Sequence, residues 1–80
     1  MHFTPFETAS LIRLGLVQDP EDGTFTHKHY AFVASCIPTG FVDGKVTTVY
    51  ELEDAGFVYN FNAFNGLLTA LQDILAEEKK

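Results

Sequence analysis

Phe57-Val58-Tyr59-Asn60-Phe61, running through Asn62 into Ala63 to Glu78, is the stretch that decides the fold, because its apolar spacing changes from that of a strand to that of a helix. Phe57, Tyr59 and Phe61 alternate with Val58 and Asn60, so three aromatic rings fall on one side of a strand. From Phe64 onward, Phe64, Leu67, Leu68, Leu71, Ile74 and Leu75 follow the spacing of one helix face, with Thr69, Gln72, Asp73, Glu77 and Glu78 on the other. Asn62 is suited to cap this helix, and Asn60 is its rival. Burying that stripe does not offset the entropy of ordering an isolated helix, so it must dock on a sheet. The aromatic face just before it is the nearest candidate. Gly66 interrupts the helix at a cost of about 1 kcal/mol relative to alanine, which points to close packing against a strand.

Working backward, Asp43-Gly44 between Phe41-Val42 and Lys45-Val46 is a two-residue hairpin turn. Pro38-Thr39-Gly40 interrupts the strand that precedes it. Uninterrupted pairing sets Ile37 opposite Tyr50 and Ser35 opposite Leu52. One extra residue at 38–40 instead sets Cys36 opposite Tyr50 and Ala34 opposite Leu52, and this bulged register is preferred, since ladders break at Pro and Gly. A four-residue loop Glu53-Asp54-Ala55-Gly56 then pairs Leu52 with Phe57, Tyr50 with Tyr59 and Thr48 with Phe61. The strand entering the bulge reads as Thr26 to Ile37, with Tyr30, Phe32, Ala34 and Cys36 on the core face. Val33, Ile37, Val49 and Val58 are left on the back face, to be covered by the first helix or by another chain.

Thr4-Pro5-Phe6-Glu7 is a capping box with proline at the first helical position. The helix it opens should run to Leu14 and stop at Gly15, with Leu16 folding back on its last turn. Phe6, Ala9, Ile12 and Leu16 form its expected apolar side, with Arg13 outward. Asp19-Pro20-Glu21-Asp22-Gly23 is a turn flanked by Val17-Gln18 and Thr24-Phe25, which can pair briefly; it lacks the alternating oxygens and distal Glu of a calcium loop. The expected fold is therefore α+β: one domain spanning 1–80, a helix, a three- or four-stranded antiparallel meander, and a C-terminal amphipathic helix packed on one sheet face.

Composition bounds function. Eighty residues, 46% hydrophobic and with eight Phe, make an ordered domain near the lower limit for a stable single core, for which a partner subunit would help. A net charge of −6 with five Lys and Arg disfavours direct nucleic-acid binding. No segment is apolar over the length that spans a bilayer, the N-terminus lacks a secretory pattern, and Cys36 is the sole cysteine, so a cytoplasmic location is expected.

No catalytic motif is present. On a strand, His27 and His29 would project from one side and begin a metal site, with His2, Cys36 or a carboxylate as third ligand, but no recognised spacing supports it and two solvated histidines are the plainer reading. Cys36 reads as a buried thiol beside Tyr50 rather than a nucleophile. The acids gather as Asp19, Glu21 and Asp22, as Glu51, Glu53 and Asp54, and as Asp73, Glu77 and Glu78. Such clusters attract basic partners, although they also serve solubility. Phe3 and Phe41 are candidate exposed anchors, although core filling is the commoner fate of Phe. The expectation is a non-enzymatic protein-binding module without cofactor, docking its acids on a basic, nucleic-acid-handling surface of its partner and self-associating as a homodimer through Val33, Ile37, Val49 and Val58. In size and charge alone this is comparable with the small acidic inhibitors that phages encode, anti-CRISPR proteins included. The alternatives are a metal- or small-molecule-binding module using His27 and His29, and a structural subunit of a larger assembly.

Overall fold

The computed structural model describes residues 3–77. Helix α1 (Pro5–Arg13) opens on the expected capping box: the Glu7 amide donates to Thr4 Oγ1 at 3.2 Å and the Thr4 amide to Glu7 Oε1 at 3.0 Å. It closes as expected too. Gly15 adopts φ 97° and donates to the Ile12 carbonyl, while Leu16 donates to that of Leu11, the double bond of a left-handed helix stop. The buried side of α1 differs from the one expected. Phe6 is 76% and Ile12 56% exposed, and Ala9 is exposed as well. Phe3, Glu7, Leu11 and Leu14 face inward instead, a stripe hidden in the sequence because its second member is a carboxylate.

The five strands β1 (Val17–Gln18), β2 (Phe25–Thr26), β3 (Val33–Val42), β4 (Lys45–Asp54) and β5 (Phe57–Phe61) form one antiparallel sheet in chain order. The β1–β2 turn is built by its acids: Asp19 Oδ1 accepts from the Glu21 amide, and Asp22 Oδ1 from the amide and hydroxyl of Thr24. Its second strand starts at Phe25, one residue later than expected. The long strand read from Thr26 to Ile37 is divided. At His27 the chain leaves the sheet, makes a local turn in which His27 Nδ1 accepts from the His29 amide and its carbonyl from the Tyr30 amide, and returns at Val33 to pair with β2. Phe32 still enters the core and Tyr30 packs against it, which is why the apolar alternation continued unbroken through a loop.

The β3–β4 register is the bulged one: Cys36 faces Tyr50, Ala34 faces Leu52, and the shift falls between Pro38 and Gly40. Asp43 and Gly44 both have positive φ, as a two-residue hairpin turn of this twist requires. The next turn is shorter than expected. Ala55 and Gly56 alone make it, with φ 52° and 89°, so the pairs are Asp54 with Phe57, Leu52 with Tyr59 and Tyr50 with Phe61. Since the register moves by two residues, the three aromatics keep their face, but Phe57 and Tyr59 slide out of the core into solvent.

Helix α2 (Phe64–Glu77) starts one residue later than expected and packs on the sheet by Leu67 and Leu71, both fully buried, with Phe64 and Ile74 beside them. A Cβ on Gly66 would lie 3.0 Å from Phe61 Cδ1 and 3.4 Å from Phe61 Cβ, the close approach to a strand read from the sequence. Gly66→Ala should lower stability by about 1 kcal/mol despite the better helix propensity of alanine, because the ring it meets is anchored in β5. Thermal unfolding checks this: a melting temperature that rises would show the Phe61 ring free to move aside.

Both helices lie on one side. Phe3, just before α1, stacks on Tyr50 of β4 with centroids 6.0 Å apart and meets Phe64 of α2 edge-on at 6.4 Å, and the buried core holds side chains of the Ala34, Tyr50 and Leu52 face only. Among the described residues no helix therefore lies on the opposite sheet face. In addition β5 pairs with β4 only from Tyr50 to Asp54, and β2 with β3 only at Val33 and Ala34, so the far part of the β3–β4 hairpin is a two-stranded ribbon. It accounts for the elongated extents of 45 × 23 × 21 Å.

Candidate partner-binding surface

Strand parity assigns each residue to a face. On the helix-free side stand Val33, Ser35 and Ile37 of β3, Val49, Glu51 and Glu53 of β4, and Val58 and Asn60 of β5. Across the strands they form rows: Val33, Glu53, Val58; then Ser35, Glu51, Asn60; then Ile37 and Val49. Val58 is 53% and Ile37 37% exposed, while Val33 and Val49 are half-buried by their neighbours. Two sets of residues that the sequence kept apart thus meet here. The valine and isoleucine set carries two carboxylates on its middle strand.

The third member of that acidic run goes elsewhere. Asp54 has the opposite parity and joins Asp73 and Glu77 of α2 around a groove of about 430 Å³ floored by Phe61, Ala70 and Ile74, with half-exposed Tyr59 at its side. Asp19, Glu21 and Asp22 sit on the exposed β1–β2 turn, with Asp19 and Asp22 engaged in local hydrogen bonds. Glu78 lies outside the described residues. The ribbon adds apolar surface: Phe41, an expected anchor, is 76% exposed and pairs with Val46 on one face, and Val42 is exposed on the other. Phe3, the other candidate anchor, takes the commoner fate of Phe and fills the core.

The histidines fall in the β2–β3 loop and not on a strand, their ring centroids 5.7 Å apart. Among the described residues no three His, Cys, Asp or Glu side chains gather as a metal ion would need, and His2 lies outside them. Cys36 is half-buried opposite Tyr50, and its thiol is pushed up from its ordinary value first by burial and then by the Glu7 carboxylate, which keeps it protonated and a poor nucleophile.

Glu7 itself is the polar feature that sequence reasoning missed. It is buried, holds the Thr4 amide with one oxygen and accepts the Tyr50 hydroxyl with the other at 2.5 Å. Burial and this bond push the Tyr50 phenol up to about 12. The signal was present in the spacing: Phe3, Glu7 and Leu11 recur one helical turn apart, so a capping-box glutamate stood on the apolar stripe.

No helix among the described residues is long and apolar enough to cross a membrane. Compared with protein-family models, with curated proteins and with solved structures, the chain matches none.

Proposed function

We propose that this chain is a non-enzymatic, cytosolic protein-binding module that lays its helix-free sheet face on a basic surface of another protein. One observation carries the reading: Glu53 stands between the apolar side chains of Val33 and Val58, and Glu51, between Ser35 and Asn60 in the next row, separates them from Ile37 and Val49. A face of this kind offers apolar area to bury and two charges that demand a cationic counterpart. The same charges select among occupants. A second copy docked face to face would bring four carboxylates together, and like charges set against one another are costly. Lysines or arginines of a partner would neutralise them. The groove at Asp54, Asp73 and Glu77 has matching chemistry, with Tyr59 offering a ring to a cation. Basic surfaces of this extent are typical of proteins that handle nucleic acid, and a chain of net charge −6 seated there would block them.

The test is capture of the partner from the native cell, followed by titration at increasing salt. Affinity that falls steeply with ionic strength, and that is lost on neutralising Glu51 and Glu53, supports the reading. A partner indifferent to both overturns it.

A further inference from the structure

On the helical side of the molecule, away from the helix-free face, the C-terminal end of α1, the β2–β3 loop and the last turns of α2 flank an open cavity of about 650 Å³. Its polar lining is Arg13, His27, His29, Tyr30 and Gln72, and Leu75 is part of its apolar wall. Ten of the eleven Asp and Glu are among the described residues, and none of these ten lines this cavity. It has one arginine, and that arginine does. Of the basic and imidazole side chains among the described residues, Arg13, His27 and His29 converge here, Lys28 lies between the two histidines in the chain, and only Lys45 is remote, at the ribbon tip.

Part of this lining is held in place by the fold. His27 packs edge-on against Tyr30, with centroids 4.8 Å apart, and closely over Gly15, whose positive φ and missing side chain leave room for the ring. Its Nδ1 accepts from the His29 amide, so the neutral ring carries its proton on Nε2 and is a donor there. Arg13 and His29 have no such structural employment. Both are exposed, and Arg13 forms no ion pair among the described residues.

We propose that this cavity binds a small-molecule monoanion: a carboxylate on an apolar or aromatic body. The planar guanidinium of Arg13 matches a carboxylate through two parallel N–H donors, and the imidazole N–H and Gln72 amide groups are further donors. The wall at Leu75 takes the apolar part. A single arginine in a molecule of net charge −6 favours one negative charge over the two of a phosphate monoester. The volume lies within the range of small-molecule sites, roughly 300–1,000 Å³. The inference is independent of the protein-docking reading, since it uses none of the same residues.

The experiment is a titration of the full chain, followed by amide chemical shifts, with 2-naphthoate, its uncharged analogue 2-naphthamide, and inorganic phosphate. Saturable shifts at residues 13, 27–30 and 72–76 are expected with naphthoate, and at least about tenfold weaker binding with the amide, the loss set by one charge-assisted contact. Arg13→Gln should weaken naphthoate about tenfold or more, and His29→Gln by a few-fold, with unchanged melting temperatures since both side chains are exposed. Lys45→Gln, remote from the cavity, should bind as the wild type does. Absence of saturable shifts, equal binding of acid and amide, preference for phosphate, or an Arg13→Gln variant that binds as before would each overturn the proposal.

Discussion

Glu7→Ala is expected to remove about 3–5 kcal/mol of folding stability. Loss of the capping box accounts for about 1 kcal/mol. The Tyr50 hydroxyl, buried beneath α1, is then left without its acceptor, which adds about 1–3 kcal/mol. The void left by the side chain adds more. A domain of this size has little stability to spare, so the variant should be partly unfolded at physiological temperature. Tyr50→Phe makes the complementary change: it removes one oxygen and leaves Glu7 Oε2 buried and unpaired, at about 1–3 kcal/mol. The double variant should cost less than the two singles added together, because neither leaves an orphan once both are gone. Urea unfolding of the four proteins measures the coupling. If Glu7→Ala unfolds at the same urea concentration as the wild type, the carboxylate is not a structural element.

The same pair sets the alkaline limit of the fold. The phenol of Tyr50 is raised from 10.0 to about 12, by burial first and by its bond to Glu7 second. Between these values the unfolded chain has released the proton and the folded chain keeps it, so stability is fully present below pH 10 and declines as pH rises toward 12. The decline amounts to about 3 kcal/mol over that interval. Cys36, raised from 9.0 by burial and by Glu7, contributes in the same direction from a lower starting pH. Tyr50→Phe should flatten the slope above pH 10 and leave the Cys36 part.

These side chains also show what was legible in advance. The capping box, the helix stop at Gly15, the Asp43-Gly44 turn and the bulge at 38–40 are governed by backbone rules acting over a few residues, and each was found where its residues stand. The Ala55-Gly56 turn was misjudged because alanine seldom adopts positive φ, and only the surrounding ladder holds it there. The division of Thr26 to Ile37 was hidden since Tyr30 and Phe32 supply core rings from a loop in the same alternation a strand would show. As for the surface, Glu51, Glu53 and Asp54 look like one cluster until parity sends the last to the opposite face. The cavity at Arg13, His27 and Gln72 joins three segments distant in the chain; His27 and His29 stood out locally as a possible small-molecule pair, but nothing in the sequence attaches Arg13 or Gln72 to them.

Glu51→Gln with Glu53→Gln is expected to weaken the partner complex about a hundredfold. Each carboxylate paired with a cation at a buried face contributes about 1.5 kcal/mol or more, and two such pairs give that ratio. The substitutions keep the shape of both side chains and stand on the solvent side of β4, so folding stability should change by less than about 0.5 kcal/mol. The salt dependence of the residual binding should flatten together with the affinity, because the charges that generate it are gone. A second consequence separates this face from an ordinary soluble surface. With its carboxylates neutral, the area around Val33, Ile37, Val49 and Val58 no longer repels its own copy, and the variant should self-associate at concentrations where the wild type stays monomeric. Light scattering across a concentration series decides it. Equal self-association of both proteins would mean that the carboxylates do not select against a second copy, and the homodimer would then be the better occupant. Unchanged partner affinity would place the docking surface elsewhere, with the ribbon bearing Phe41 and Val46 as the next surface to test.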